Sequence, residues 1–483
     1  MSYIQGAERS QVEMLPACLE EYVAGNSPVR FIDAFVSSLD LLGLGFERSQ
    51  PASTGRPGYD PADLIKLYLY GYLNRIRSSR RLEAEARRNV ELMWLLHRLS
   101  PDFKTIADFR KDNRECFKGL FKQFNLLCRK LDLFGAELVA IDGSKFKAVN
   151  NPSRHYTAQQ LKGLIKQVEE RIESYLQTLD QHDAEAEGTA GTPTKAELQS
   201  KLETLREHKG RYDELLGELN LTGQNEISLT DKDSRGQKRV GVGYNVQLAV
   251  DAKHDLIVET DVVQDANDRN QLAPLALAAK AELGVEQLKV VADSGYDEAS
   301  QFKACAQAGV QAYVPAQGTT SGRSKDGKVI FPKEQFIYDS NRNHYTCPAG
   351  QLLPQQGHRM HKGKEKFTYY NRPACALCAL KAQCTTSQHR KIERGADERY
   401  AFEVAERVKA NRQIVAQRKT IVEHVFGTLR NWGHDSFLTR GLKAVGAEFS
   451  LSALSYNLRR VLSLVGIEDL LASVRVIGAK NAS

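Results

Sequence analysis

Two short apolar runs, each closed by an aspartate, constrain this chain more than any other feature. Leu138-Val139-Ala140-Ile141 leads into Asp142, and Leu288-Lys289-Val290-Val291-Ala292 leads into Asp293. A short apolar run bounded by polar residues reads as a buried strand. Around these runs the spacing alternates between strand and helix, with a helix near 270–283, another after Tyr296 and a strand at Val310–Val314. Gly243–Val250, a polar turn at Lys253-His254-Asp255, and Leu256-Ile257-Val258 read as an antiparallel hairpin. The expected class is α/β.

Helical spacing dominates residues 10–135. Asp60 before Pro61 reads as an N-cap and first helical residue, opening a helix through Leu64, Ile65, Tyr68 and Leu73. A second helix runs to about Arg88, and Thr105 with Asp108 resembles a capping box that starts another. Basic residues gather at the junctions, among them Arg75, Arg77, Arg80, Arg81, Arg87, Arg88, Lys104, Arg110 and Lys111. Residues 157–220 carry Leu161, Leu164, Val168, Ile172, Leu176 and Leu179, a loop at 187–194, then Leu198, Leu202, Leu205 and Leu215. That pattern predicts a helical hairpin inserted after the first strand. Residues 317–395 are polar and loop-rich, and hold four of the eight cysteines. Beyond Glu398 a long helical segment extends to Trp432, and an amphipathic helix carries Leu451, Leu454, Leu458 and Val461.

With 483 residues, 41% of them hydrophobic and 26% charged, the chain has apolar material for several domains of roughly 100–200 residues. A disordered, collagenous or disulfide-stapled protein is excluded. No apolar run approaches the roughly 18 residues that cross a bilayer, and the start MSYIQGAERS lacks the regions of a secretory signal. No membrane partner is expected, and a cytoplasmic location is. The formal net charge of +7 is a mild bias that matters only where it clusters.

Two strand-end aspartates and a glutamate on a later helix converge if the strands are neighbours. Such a cluster repels itself unless cations enter. Mg²⁺ prefers oxygen ligands, and two ions about 4 Å apart activate one oxygen and stabilise a leaving one, as phosphodiester cleavage and transfer require. Spacing alone singles out no trio among 60 acidic residues, and a strand-end aspartate commonly caps a turn. At about 3.6 residues per turn, Lys419, Glu423 and Arg430 share one helical stripe, and Val415, Val422, Val425, Phe426 and Leu429 form the adjacent apolar one. Taken alone, Lys419 and Glu423 are a surface i,i+4 pair.

Asp142-Gly143-Ser144-Lys145, Ala292-Asp293-Ser294-Gly295-Tyr296 and the Arg418–Arg430 segment around Glu423 closely resemble the DDE transposases of bacterial insertion sequences. The likeness also takes in Tyr59–Arg110, Leu229-Thr230-Asp231-Lys232-Asp233-Ser234-Arg235, Gly243–Val250, and Phe437–Arg460 with its Tyr456-Asn457-Leu458-Arg459-Arg460 ending. It implies a ribonuclease-H-like mixed-sheet catalytic domain over 136–483, interrupted by the helical hairpin at 157–220 and a small cysteine-rich, zinc-type insertion at 317–395. An all-α DNA-binding domain over 1–135 precedes it. The same resemblance implies Asp142, Asp293 and Glu423 as a catalytic triad binding two Mg²⁺ or Mn²⁺ ions. In that mechanism water cuts the element's ends, and the freed 3′-hydroxyl attacks target DNA without a covalent protein–DNA intermediate. The implied partners are double-stranded terminal inverted repeats and target DNA, with at least a dimer when DNA is bound, at the bacterial nucleoid.

Arg430 stands where related transposases often carry a lysine that contacts transposon-end DNA. Ala416 stands where some carry a tyrosine, so no hairpin-forming or base-flipping role is carried over. The DNA-binding candidates are Arg430, Lys419, Arg75, Arg77, Arg80 and Arg81, the last four on a helix-turn-helix-like pair around 61–90. Such arginines equally serve a solvated surface. Asp231, Asp233, Arg235, Lys145 and Tyr296 are second-rank candidates for lining the groove, and Asp231–Arg235 fit a polar Asx-turn loop as well. His424 faces about 100° away from Glu423 and reads as structural or exposed.

Cys347, the Cys375-Ala376-Leu377-Cys378 pair and Cys384 supply four thiolates in a segment poor in apolar residues. Tetrahedral Zn²⁺ takes such a set and closes loops that cannot fold alone, leaving no open position for catalysis. Four reduced, unmetallated cysteines are the alternative. Cys18, Cys116, Cys128 and Cys305 read as core residues. Two other functions fit these residues: a metal-dependent nuclease without strand transfer, and a non-catalytic, zinc-stabilised DNA-binding regulator derived from a transposase.

Overall fold

The computed structural model describes residues 18–47, 58–184, 195–317, 327, 329–361 and 363–481. The expected loop at 187–194 and the expected helical spacing at 10–17 and 48–57 lie outside the described residues. The strands are β1 (Leu138–Lys147), β2 (His155–Thr157), β3 (Glu226–Ser228), β4 (Arg235–Gln237), β5 (Gly241–Asp251), β6 (Ile257–Val263), β7 (Leu288–Val291), β8 (Val310–Tyr313), β9 (Ile337–Asp339), β10 (His344–Thr346), β11 (Leu352–His361), β12 (Lys364–Tyr369) and β13 (Ile392–Gly395).

The larger sheet is mixed. β5, β1, β7 and β8 lie side by side, and β4 and β6 share the outer edge of β5. β6, β5 and β1 pair antiparallel, whereas β1, β7 and β8 pair parallel. The parallel strands are mainly apolar, with Lys289 and Gln311 as exposed exceptions, as strands covered by helices are. Val139, Ala140, Ile141, Val290 and Val291 have no exposed surface. β1 runs well past Asp142, its expected end, because Gly143–Lys147 stays in register with Gly243–Gln247 of β5. Its pairing with β7 stops at Ala140↔Val291, so the chain leaves the parallel part of the sheet just before Asp142.

The N-terminal helices open as their caps direct. Asp60 accepts from Ala62 N at 2.8 Å ahead of Pro61–Leu73. The helix Phe103–Asp112 is capped by Asp102, which accepts from Thr105 N at 2.7 Å, and not by Thr105 with Asp108. A charged carboxylate three residues earlier is the better acceptor for those free amides. The helix Leu442–Leu464 packs on β6 and on the helices Pro61–Leu73 and Cys116–Lys130, so one apolar core runs from the N-terminal helices through the sheet. Buried Asn457 joins the layers, receiving from Ile257 N at 2.8 Å and donating to Asn125 Oδ1 at 2.9 Å.

Two insertions stand on smaller cores. The helices Ala158–Ala184 and Lys195–Thr222 rise from the β2–β3 pair, with Leu161, Leu215, Leu219 and Ile227 buried at their base. Leu176 is exposed, since a two-helix hairpin buries only the side facing its partner. Residues expected to be loops form an antiparallel sheet in the order β13-β12-β11-β10-β9 around Phe336, Tyr345, Leu353, Tyr369 and Ile392. Among the described residues no helix is long and apolar enough to cross a membrane.

Candidate active site

Asp142 and Asp293 each lie two residues beyond Ala140↔Val291, the last pair of adjacent parallel strands. That is the carboxyl-end crevice where open α/β sheets place ligands. Asp142 Oδ1 accepts from Gly143 N at 2.8 Å. Asp293 also performs the turn role open to it, accepting from Gly295 N at 2.7 Å at the start of the short turn Ser294–Tyr296. Burial pushes the Asp142 carboxyl up to about 6, opposed by Arg418 and reinforced by the negative charges of Asp293 and Asp268.

Among the described residues, Glu423 is linked to Asp142 only through Arg418, across a local change of helix type. The helix Arg412–Arg418 gives way to a π-turn over Lys419–Glu423 before the α-helix resumes at His424. A π-turn brings residues five apart into line, and such turns recur at functional sites. Arg418, not Lys419, is therefore the partner of Glu423. Its guanidinium, only 13% exposed, donates to Asp142 Oδ2 at 2.8 Å and to Glu423 Oε1 at 3.1 Å. Lys419 is exposed. The apolar stripe is as expected for Val422, Val425, Phe426 and Leu429, joined by Ile421, while Val415 is only partly buried. His424 touches Thr420 O, Asp255 and Tyr456 and faces away from the acids.

Asp268 was not among the sequence candidates. It sits in the loop between β6 and the helix Leu272–Leu283. Its Oδ1 accepts from Lys145 Nζ at 3.2 Å, Asn245 Nδ2 at 2.7 Å and Gln247 Nε2 at 2.8 Å. Two amides at alternate positions of the otherwise apolar Gly243–Val250 run were the available signal, because buried amides require partners. Burial lowers the Lys145 ammonium's affinity for its proton, and Asp268 then Asp142 oppose this.

The remaining candidates separate into surface and scaffold. Arg430 is exposed and donates to Ser144 Oγ, two residues from Asp142. Tyr296 is fully buried, its hydroxyl bound to Gln247 Oε1 at 2.5 Å, so it lines no groove. Asp231 is buried and accepts from Tyr244 OH and Gly441 N. Asp233 accepts from Leu442 N at 2.8 Å, and Arg235 donates to Lys232 O and Ser234 O. Asp231 and Asp233 fasten the loop to the start of Leu442–Leu464, and Arg235 braces the loop itself. Arg77 is drawn inward, with its guanidinium on Gly433 O, Ser436 O and Glu448. Arg75, Arg80 and Arg81 are exposed, Arg75 lying over Trp432 and Arg80 over Phe103.

Cys347, Cys375, Cys378 and Cys384 line one small cavity of about 20 Å³ in the β9–β13 unit. All four are free, and burial pushes the Cys384 thiol up, with the other three thiols adding to it. Cys116, Cys128 and Cys305 are buried as expected, whereas Cys18 is exposed on a short helix end. Among the described residues no group of three or more His, Cys, Asp or Glu stands at metal-holding spacing. In the acid cluster a guanidinium occupies the space between two of the carboxylates.

Residues 17–112 match the family model described as Transposase domain (DUF772), and residues 346–462 match the one described as Transposase DDE domain. The second match contains Glu423 and the four cysteines, and lies beyond Asp142 and Asp293. No curated protein matches the chain. A solved structure, the cryo-EM structure of piggyBac transposase synaptic complex with hairpin DNA, aligns at TM-score 0.31 and 9% identity over 94% of this chain and 79% of that one. So loose a superposition leaves the fold to rest on its own strand order. The chain is thus similar to transposases at both ends, and its C-terminal match is to a transposase DDE domain.

Proposed function

We propose that this DNA transposase works at the acid cluster of Asp142, Asp293 and Glu423, on a ribonuclease-H-like sheet. The observation that carries the reading is the equal offset of the two aspartates beyond Ala140↔Val291, with Glu423 tied to Asp142 through one guanidinium. Three parallel strands extended by an antiparallel hairpin support the mixed-sheet assignment. Carboxylate oxygens suit Mg²⁺ or Mn²⁺, and Asp142, lifted mainly by burial and further by the charges of Asp293 and Asp268, is stabilised in its charged form by a cation. When bound, a pair of such ions supplies an activated water and stabilises the departing 3′-oxygen.

In this reading Asp142, Asp293 and Glu423 hold and orient the metal pair, and Arg418 holds Asp142 and Glu423 near each other before it arrives, opposing the rise of the Asp142 carboxyl. Arg430 and Lys419, both exposed near Glu423, neutralise phosphates of a duplex lying across the site. Arg75, Arg80 and Arg81 do the same for the terminal inverted repeats further along the N-terminal helices. The freed 3′-hydroxyl attacks target DNA at the same acids, and joining two ends in one event calls for at least a dimer on DNA. The four cysteines around one cavity are read as a structural zinc site.

The test uses purified full-length chain, Mg²⁺, labelled DNA carrying the element's ends, and a supercoiled target. Wild type nicks the ends and joins them to the target. Asp293→Asn loses both activities by at least about 1000-fold while DNA binding persists. Undiminished cleavage removes Asp293 from the site, and cleavage without joining makes the protein a nuclease.

A further inference from the structure

We infer that Asp268 is a positioning residue of the acidic site, holding the Lys145 ammonium away from Asp142 so that Asp142 meets a divalent cation without a lysine on it. The inference rests on the metal-dependent reading of that site. One carboxylate oxygen of Asp268 collects three donors from two strands: Lys145 of β1, and Asn245 and Gln247 of β5. Asn245 and Gln247 are buried. Gln247 Oε1 in turn accepts from Tyr296 OH, three residues after Asp293, so the contact chain reaches from the Asp142 strand to the Asp293 turn.

The backbone makes room for this arrangement. A Cβ on Gly143, next to Asp142, would lie 2.3 Å from Gln247 Nε2 and 2.7 Å from Asp268 Oδ1. A side chain at 143 would therefore displace the Gln247 amide and the Asp268 carboxylate. On the far side, a Cβ on Gly295 would stand 3.8 Å from Asp268 Oδ2. The carboxylate is wedged between the two segments that carry the aspartates.

Charge, rather than hydrogen bonding alone, gives Asp268 its role. An asparagine carbonyl can accept from the same two amides, but it cannot neutralise Lys145. Asp142 already attracts that ammonium, and with Asp268 neutral its charge is the strongest remaining on Lys145, ahead of Asp265. A lysine on Asp142 then competes with the metal directly. Residues that orient metal ligands from behind typically change affinity or activity by about 10–100-fold when altered.

The experiment measures Mn²⁺ affinity of the full chain without DNA, from the electron paramagnetic resonance signal of free Mn²⁺, and in parallel the Mg²⁺ concentration for half-maximal DNA cleavage. Asp268→Asn is expected to weaken both by about 10–100-fold. In a Lys145→Met background the same substitution is expected to shift them less than about twofold, because the competitor is gone. Asp268→Glu, which keeps the charge, is expected to stay near wild type. Equal shifts in both backgrounds, or no shift in wild type, overturn the inference, as does an Asp268→Glu chain as weak as Asp268→Asn. Asp293→Asn measured alongside separates the two ideas. If it leaves Mn²⁺ affinity and cleavage intact, the metal-site reading itself fails; if it abolishes both while Asp268→Asn has no effect, only the positioning role is lost.

Discussion

The two sheets of this protein solve opposite problems. The β1 sheet shares a continuous apolar core with helices from both ends of the chain, and its parallel strands are buried on both faces. Such a core can carry a self-repelling acid cluster at its edge without losing the fold. The β9–β13 sheet has five buried apolar side chains, and its longest strand, Leu352–His361, is largely exposed. Apolar burial of that size does not hold five strands together. Under the proposed reading the two sheets would use metal differently: at the first a cation would relieve charge that folding has already gathered, and at the second it would add cohesion to a small core.

The largest effect expected from this contrast lies at the cysteines. Structural zinc contributes about 10–16 kcal/mol of folding free energy in small zinc-finger peptides. Replacing Cys375 and Cys378 together by serine should remove about one zinc per chain and release the small sheet. In hydrogen exchange, the amides of Tyr345 and Tyr369 then exchange freely while those of β1 and β5 stay protected. A zinc-free wild-type chain that keeps Tyr345 and Tyr369 protected would break the comparison.

Leucine truncation is a smaller probe of the same contrast. Leu248, opposite Asp142 in β5, and Leu353 in β11 are both buried. Each change to alanine removes a similar apolar surface, costing about 2–5 kcal/mol. Leu248→Ala should lower the stability of the whole β1 core by that amount and leave zinc content unchanged. Leu353→Ala should open the small sheet alone, because five side chains share the loss there. Chemical denaturation read together with local hydrogen exchange distinguishes the two, and a global transition for both variants would mean that the sheets fold as one unit.

The same contrast explains what could be read beforehand. Asp142 and Asp293 were legible because the buried parallel strands are mainly apolar, Lys289 excepted, so the first carboxylate after such a run stands out. The small sheet was not legible, since most of its strands are short and the longest, Leu352–His361, carries polar residues on both faces and lacks a period of two. Glu423 was recognisable from its surrounding motif, but its partner was not: a 3.6-residue stripe selects Lys419, and only the π-turn brings Arg418 into line. Asp268 was hidden in a polar loop, where an aspartate is ordinary. The hint lay in Asn245 and Gln247, whose buried amides needed an acceptor from elsewhere.

The smallest expected effect asks whether Arg418 stands in for a divalent cation or merely braces the helix. Arg418→Met keeps the aliphatic stem and removes the charge between Asp142 and Glu423. At pH 8, above the Asp142 value of about 6, the Asp142 carboxyl is ionised, and removing the guanidinium removes a competitor. Mn²⁺ affinity should then rise about tenfold, or roughly 1.4 kcal/mol, on the scale of a partly buried ion pair. At pH 5 the sign reverses. Arg418 draws the Asp142 value down, so without it the carboxyl keeps its proton to higher pH, and a protonated oxygen is a poor ligand. The affinity curves of variant and wild type should therefore cross as the pH falls through the Asp142 transition, while zinc content and protection of the small sheet stay constant. Weaker Mn²⁺ binding at pH 8 would make Arg418 a brace, whose loss lets Glu423 swing away from Asp142.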